Sequence, residues 1–281
     1  MNRPIRSLLA WLEQDEAVNI LFGSVPQQGV DVAAQIAQWT EKRVALLARA
    51  PYQAVAVQVE PLPAVLTQRG ADFAARADVQ GMFVGLQWQL GVIDLSTLLS
   101  YQKLVAFEQA QERVAGLTQD DWEGLFSICL PDAAAPTQMP VMFDPDAKGI
   151  TLSSLNPNLR VIGHVVQKTE VNQGAGGVMS ATALGFLVKL GASFVQAVEY
   201  NGRWFVRDGY HRCYGLLANG ITRIPCMLIH AVNFAQTGAE QPGFFSYEIL
   251  FGDRPPPPWI SRTMLSQSSL NNAQRGRSCG Y

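Results

Sequence analysis

The chain has 281 residues, of which 48% are hydrophobic and only 16% are charged, and its net charge is −2. This length predicts one large domain or two ordinary ones, and the weak negative charge provides no overall field that would attract nucleic acid. Charged residues make up about 25% of an average protein, so such a low fraction favours a surface partly covered by a protein partner or a second copy. A surface rich in uncharged polar residues would give the same composition.

The cysteines and the apolar segments bear on the compartment. None of the four cysteines is spaced as a C-x-x-C pair, which favours a reducing compartment, and we expect a cytoplasmic protein. No run of 18 apolar residues occurs, so no membrane span is expected. The apolar stretch at 7–12 is too short for the core of a signal peptide.

The N-terminal region, residues 1–80, is predicted to be mainly helical. Apolar residues recur at steps of three and four in 5–22 and 31–49, which indicates two helices. Asp31 is a plausible N-cap for the second of them. Residues 52–60 alternate between apolar and polar side chains, which predicts a strand.

Helices and strands are predicted to alternate through the middle of the chain. The elements are a helix at 62–79, a strand at 82–88, a strand entering a turn at 92–99, helices at 100–115 and 118–129, and a β-rich stretch at 139–171. Glycines then form the loop Gly174–Gly177, which is a second candidate for anion binding. A flexible linker is the alternative, because no Lys-Ser/Thr pair of a phosphate-binding motif follows.

The clearest sequence pattern follows this loop. Asn201-Gly202 is a strong hairpin signal, because a type I′ turn needs positive φ at both central residues. Gly220 is suited to end a helix. The predicted elements are a helix from Ser180 to Gly191, strands at 194–200 and 203–207, a helix at 210–219 and a strand at 224–229.

The C-terminal region is predicted to be less regular. Residues 244–251 are consistent with a short helix or strand, and Pro255–Pro258 form a rigid polyproline segment. Residues 253–281 are rich in proline and then in basic and polar residues, which predicts a disordered tail.

The order of elements from 180 to 229 resembles the ParB/sulfiredoxin-like superfamily. The resemblance rests on the Asn-Gly hairpin, then Asp208-Gly209-Tyr210-His211-Arg212, an apolar helix, a glycine and a last strand. Residues 92–102 are similar to the opening strand of that family. The resemblance implies an α/β (α+β) domain at 81–252 with an insertion at about 104–170.

The residue types at 208–212 are suited to binding phosphate. A helix N-terminus attracts anions through its unpaired N–H groups, and Gly209 allows close approach of the main chain. Arg212 can form a forked contact with a phosphate, and we expect an exposed first-turn side chain whose replacement leaves the fold intact. His211 can donate to phosphate or transfer a proton, while Asp208 can cap the helix or bind a metal. The alternative is an ordinary capped turn in which Arg212 forms a plain ion pair.

The leading functional prediction is nucleotide binding, with ATP or CTP and Mg²⁺ as candidate ligands. Hydrolysis or phosphoryl transfer would assign catalytic roles to His211 and Asp208, with Glu199 or Glu170 as general base. Tyr210 and Trp204 are candidates for stacking on a base, although a core position is the alternative for Trp204.

Departures from the family leave the activity open. Tyr210 stands where sulfiredoxins carry their catalytic cysteine, and no helix-turn-helix is evident after residue 230. Sulfinic-acid reduction and a DNA clamp are therefore not expected. The alternatives are a non-catalytic interaction or regulatory subunit of a DNA-associated or defence system, and a ParB-like nuclease. Whether the protein is an enzyme stays open.

Overall fold

The structure is a computed structural model, and it divides into two compact units, which are treated separately. The first unit comprises residues 1–130 and 194–281, and the second comprises Pro131–Ser193. The structure describes residues 5–22, 31–132, 141–142, 151–152, 159–172, 178–190, 193–241, 243–257 and 265–267.

A six-stranded sheet forms the centre of the first unit. Its strands are β2 (Val59–Glu60), β3 (Gln87–Asp94), β4 (Leu99–Ser100), β10 (Gln196–Tyr200), β11 (Arg203–Asp208) and β12 (Arg223–His230). They lie in the order β2-β3-β12-β10-β11-β4. The β12/β10 and β11/β4 pairs are parallel and the other pairs are antiparallel. This mixed sheet with its surrounding helices confirms the predicted α/β class.

The hairpin of β10 and β11 has the predicted turn. Asn201 and Gly202 have φ values of 51° and 72°, the left-handed conformation that a type I′ turn requires. The ladder pairs Tyr200 with Arg203 and continues to Gln196 opposite Asp208. Local turn chemistry and alternation therefore define this hairpin, as we expected.

Helices surround the sheet of the first unit. They are α1 (Gln14–Phe22), α2 (Val32–Leu47), α3 (Thr67–Ala74), α4 (Ala77–Met82), α5 (Phe107–Glu112), α6 (Trp122–Cys129), α7 (Tyr210–Ala218), α8 (Phe234–Thr237) and α9 (Tyr247–Phe251). The Asp31 carboxylate accepts a hydrogen bond of 2.9 Å from Ala34 N, so the predicted N-cap of α2 is confirmed. Gly220, with φ of 77°, follows the end of α7 as predicted.

Two aromatic clusters form much of the core. Phe73, Phe126 and Phe194 pack edge to face, with ring centroids 4.9 to 5.9 Å apart. In the second cluster the ring of Tyr101 stacks on Phe205 at 4.8 Å. Aromatic pairs of this kind contribute about 0.5–1.5 kcal/mol beyond the burial of their area.

Parts of both terminal regions have structure that the sequence did not predict. Ile5–Ser7, predicted as helix, is strand β1, which pairs with β5 (Leu104–Ala106) and β13 (Leu265–Gln267). Of the predicted tail, β13 belongs to this sheet and the polyproline segment is partly buried. The carbonyl of Pro256 accepts a hydrogen bond of 2.9 Å from Ser100 N, so the segment covers the edge of β4.

Other predicted boundaries shift within the first unit. Only Val59–Glu60 of the strand predicted at 52–60 pairs with a neighbour, and the strand predicted at 82–88 is Gln87–Asp94. The second unit covers Pro131–Ser193, whereas the insertion was predicted at about 104–170. Helices α5 and α6 belong to the first unit, where α5 packs against α7 and α6 packs against β12.

The described part of the second unit contains two antiparallel strand pairs. Strand β6 (Val141–Met142) pairs with β7 (Thr151–Leu152), and β8 (Leu159–Asn172) pairs with β9 (Val178–Leu190). The helix predicted from Ser180 to Gly191 is therefore wrong, because residues 178–190 form a strand. The Ala, Leu and Lys residues of β9 favour a helix, but the cross-strand pairing of β9 along the length of β8 outweighs this propensity. The loop Gly174–Gly177 lies outside the described residues.

Candidate functional site

The predicted site lies at the corner between β11 and α7. Gly209 is the N-cap of α7, with φ of 87°, and its N–H donates a hydrogen bond of 2.6 Å to the Asp208 carboxylate. A β-carbon at position 209 would lie 2.8 Å from Val195 Cγ2. The left-handed conformation and this crowding together explain why glycine occupies the corner. Glycine also offers no side-chain acceptor to the first N–H groups of the helix.

Arg212 points into the protein. Its side chain is buried, with only 6% of the residue exposed, and Nη1 donates a hydrogen bond of 2.9 Å to the carbonyl of Ile128. Ile128 lies in the last turn of α6, where the helix dipole favours a positive charge. Arg212 therefore ties the start of α7 to the end of α6, whereas we expected an exposed first-turn side chain.

Tyr210 is also buried, and His211 is partly exposed. The Tyr210 hydroxyl donates a hydrogen bond of 3.0 Å to the carbonyl of Arg207. Burial raises the pKa of this hydroxyl well above its usual value, and the nearby Tyr101 and Asp208 add to the effect. A ring buried in this way is packed as part of the core and is poorly placed to stack on a base.

A second arginine, Arg207, belongs to the same corner. Its Nη1 donates a hydrogen bond of 2.5 Å to Gln196 Oε1, and its Nε donates one of 3.2 Å to the carbonyl of Thr237. Among the residues that the structure describes, no carboxylate lies within ion-pair distance of this guanidinium, and no acceptor bonds to Nη2. Burial lowers the pKa of Arg207, and the nearby Tyr101, Asp208 and Tyr210 oppose that effect.

Tyr101 completes the corner. Its side chain is fully buried, and in the described part of the chain its hydroxyl makes no hydrogen bond of ordinary geometry, although Thr237 and Arg207 lie close by. Burial raises the pKa of this hydroxyl above its usual value. We define the α7 corner as a set of five residues: Tyr101, Arg207, Asp208, Tyr210 and Arg212. It contains two guanidinium groups and one carboxylate.

Glu199 lies away from the α7 corner. The β10/β11 ladder pairs Glu199 with Trp204, four residues before Asp208, so about 13 Å of strand separates the two positions. Glu199 Oε1 accepts a hydrogen bond of 2.8 Å from Gly202 N, and Oε2 lies 3.6 Å from His230 Nδ1. The ring of Trp204 is largely buried and meets the His230 ring edge to face at 5.4 Å.

Glu170, the other predicted base, belongs to the second unit. It is exposed on β8 opposite Ser180. The structure therefore brings Asp208 and residues 209–212 together, as their sequence adjacency requires, and places Glu199 elsewhere on the first unit.

Sequence reasoning did not identify the roles of Arg207, Tyr101 and His230. Arg207 directly precedes the motif, and its charge in a strand of alternating apolar residues was the available signal. Tyr101 lies 106 positions before Arg207 in the chain, and only the fold brings it to the corner. His230 ends an apolar strand, and nothing in its local sequence indicates that Glu199 lies beside it.

Neither a cluster of metal-ligating side chains nor a membrane-spanning helix occurs among the described residues. Within them, no three side chains of the His, Cys, Asp or Glu type are grouped to hold a metal ion. Asp208 would therefore need oxygen ligands from a nucleotide and water to hold Mg²⁺. In the same part of the chain no helix is long and apolar enough to cross a membrane.

Comparison of the chain with models of known protein families, with curated proteins and with solved structures found no match.

Proposed function

We propose that the α7 corner binds the phosphate groups of a nucleotide, with ATP and CTP as the first candidates. The observation that carries the proposal is the Arg207 guanidinium, which is largely withdrawn from water and has no carboxylate at ion-pair distance among the described residues. A charged group of this kind is costly to bury unless it is compensated. A phosphate oxygen would supply the missing negative charge.

Neighbouring groups support the same ligand. The Tyr101 hydroxyl lies near Arg207 and can donate a hydrogen bond to an oxyanion. The start of α7 is electropositive, as every helix N-terminus is. His211, on the first turn and partly exposed, is suited to contact the outer phosphates. In this arrangement Arg207 takes the ligand-binding role that the sequence assigned to Arg212.

The same geometry favours binding over turnover. Phosphoryl transfer depends on positioning of the phosphate and the attacking group. Glu199 lies about 13 Å along the hairpin from Asp208. His211 is then the candidate for proton transfer that adjoins the corner, and Asp208 is the candidate for holding Mg²⁺.

Nucleotide titration of matched arginine variants tests the proposal. We expect ATP or CTP to bind the wild type, and Arg207→Met to weaken binding about 10- to 150-fold, the scale of a charge-assisted hydrogen bond of about 1.5–3 kcal/mol. Arg203→Met is the control, because Arg203 lies on the same strand and also donates to main-chain carbonyls, at 2.7 and 3.1 Å. Calorimetry with ATP, CTP, GTP and pyrophosphate, with and without Mg²⁺, would measure the effect. Absence of binding at millimolar concentration would contradict the proposal.

A second candidate function, a non-catalytic interaction protein, is favoured by a different observation. The main chain of residues 53–57, an exposed and extended stretch that leads into β2, makes no hydrogen bond within the described part of the protein. An interaction protein would bind none of the nucleotides, and its association with another chain would depend on an exposed surface such as this stretch.

A further inference from the structure

A cavity adjoins the α7 corner. It has a volume of about 260 Å³, and α9 and residues that precede it form much of its wall. Phe244 lines this cavity, and its ring centroid lies 6.0 Å from that of Tyr101 and 5.9 Å from that of Tyr210. The ring of Phe244 therefore belongs both to the wall of the cavity and to the packing of the corner.

Gly238 lies between the cavity and the guanidinium of Arg207. A β-carbon at position 238 would lie 3.3 Å from Arg207 Nε and 3.6 Å from Nη2. The next residue, Ala239, lines the cavity, and consecutive Cα atoms are about 3.8 Å apart. Gly238 has φ of 73°, a conformation that favours glycine. Because glycine has no side chain, the guanidinium is left uncovered where the chain passes from Arg207 to the cavity.

The cavity has the lining of a site for a flat, partly polar group. Phe234 and Tyr247 form a second aromatic wall, with ring centroids 5.0 Å apart and planes at 85°. Gln241 and Ser246 add polar side chains from exposed positions. Ligand sites commonly combine aromatic walls with a few polar groups that set the orientation of the ligand. A nucleobase presents a π face to the first and a hydrogen-bonding edge to the second.

The charges around the cavity favour a neutral group over a phosphate. Two carboxylates and one ammonium group line it, those of Glu16, Glu240 and Lys103. Lys103 Nζ lies 2.7 Å from Glu16 Oε1, so its charge is already compensated. A phosphate in the cavity would be repelled by Glu240, whereas a neutral base would not. The available positive charge lies at Arg207, on the other side of Gly238.

Building on the phosphate site of the α7 corner proposed above, we propose that this cavity holds the base of the same nucleotide, stacked on Phe244. The phosphates lie against Arg207, and the sugar passes over Gly238. The size agrees with this division, because sites for complete small-molecule ligands have about 300–1,000 Å³. A cavity of about 260 Å³ suits one part of a nucleotide whose phosphates lie outside it. The ligand is therefore a complete nucleotide and not a bare polyphosphate.

Calorimetric titration of the full chain with ATP, adenosine and tripolyphosphate tests the proposal. We expect ATP to bind about 5- to 150-fold more tightly than tripolyphosphate, which corresponds to base stacking of about 1–3 kcal/mol. Phe244→Leu should weaken ATP binding about tenfold and leave tripolyphosphate binding unchanged, because leucine keeps an apolar side chain and removes the π face. Phe251→Leu is the matched control. Phe251 stacks on Tyr247 at 4.5 Å but lies outside the described lining of the cavity.

Tyr247→Leu provides a second variant in case Phe244→Leu disturbs the packing of the corner. Tyr247 is 42% exposed and lines the cavity away from Tyr101 and Tyr210. This change should weaken ATP binding about fivefold, the lower end of the range for stacking, without an effect on tripolyphosphate. ATP binding that neither variant changes would overturn the proposal.

The base site and the phosphate site fail separately in this assay. Equal affinities for ATP and tripolyphosphate, both lost in Arg207→Met, would overturn the base site and leave the phosphate site in place. Adenosine binding that Phe244→Leu weakens, without tripolyphosphate binding, would support the base site and contradict the phosphate site. Absence of binding of all three compounds at millimolar concentration would contradict both.

Discussion

Replacing Arg212 with methionine should destabilise the folded protein. The residue is only 6% exposed, and its guanidinium bonds to the Ile128 carbonyl at 2.9 Å in the last turn of α6. Methionine keeps an apolar stem of similar length and removes the charge and the donors. The carbonyl of Ile128 then loses a charge-assisted partner in a site from which water is largely excluded.

The expected loss in the free energy of unfolding is about 2–4 kcal/mol. Loss of a hydrogen bond to a charged group accounts for about 1.5–3 kcal/mol, and loss of the favourable interaction with the α6 dipole adds about 0.3–1 kcal/mol. Relief of the guanidinium desolvation offsets part of this sum. With a urea dependence of about 2 kcal/mol per molar, the midpoint should fall by about 1–2 M.

Equilibrium unfolding in urea, followed by far-ultraviolet circular dichroism, measures this change. Arg223→Met is the control, because Arg223 forms an ion pair with Glu60 in which both side chains are 46% exposed; such pairs contribute about 1 kcal/mol or less. Arg212→Lys should fall between the two, since lysine keeps the charge but not the planar fork. If Arg212→Met retains wild-type stability within about 0.5 kcal/mol and loses nucleotide binding, the guanidinium serves the ligand and the structural role is refuted.

Three further predictions concern packing, titration and domain organisation. Gly215→Ala should destabilise the protein although alanine is the better helix former, because the new methyl group would overlap the carbonyl of Ala110. Gly81→Ala is the control: no atom lies within 4 Å of the new methyl group, so this change should stabilise the protein by about 0.5–1 kcal/mol in the same urea assay. Three thiols are fully buried, at Cys129, Cys213 and Cys226. Burial raises all three pKa values, that of Cys129 from 9.0 to about 12. The thiols of the unfolded chain lose their protons at lower pH than those of the folded protein. The free energy of unfolding should therefore be constant below pH 8 and fall above pH 9, by up to about 1.4 kcal/mol per thiol per pH unit. Urea midpoints that do not change across this pH range would contradict the prediction. Replacing residues 131–193 with a short linker should leave the first unit folded. The chain leaves and re-enters that unit at neighbouring points, because Val195 N donates a 2.7 Å hydrogen bond to the Cys129 carbonyl. Loss of cooperative melting would contradict this prediction.

The sequence predicted the elements that local rules determine. The Asn201-Gly202 turn, the Asp31 cap and the end of α7 at Gly220 depend on the conformation of a few adjacent residues, and all three are confirmed. The fold class follows from the alternation of such elements. These features carry their own signals because a turn or a cap is stabilised by the residues that form it.

The predictions that failed depend on distant partners. Residues 178–190 contain good helix formers, but they pair with β8 along its whole length. Residues 52–60 have strand alternation, but within the described chain only Val59–Glu60 of this stretch pair with β3. In both cases tertiary pairing, which local propensity cannot report, decides the structure. In the second case an alternating segment has no strand partner among the described residues before Val59.

The two arginines of the α7 corner show why the motif alone could not assign the site. Arg207 and Arg212 are five positions apart, on either side of Asp208, and the sequence assigned phosphate binding to Arg212 alone. The last residues of β11 bring Arg207 to Gln196 and Thr237, whereas the first turn of α7 brings Arg212 to the end of α6. If the α7 corner binds a nucleotide, a substitution of Arg212 would reduce that binding through loss of structure, even if the ligand never touched Arg212. Arg207→Met also removes the hydrogen bonds to Gln196 and to the Thr237 carbonyl, so the melting temperature of each arginine variant has to be measured beside its affinity to separate an effect on binding from one on folding.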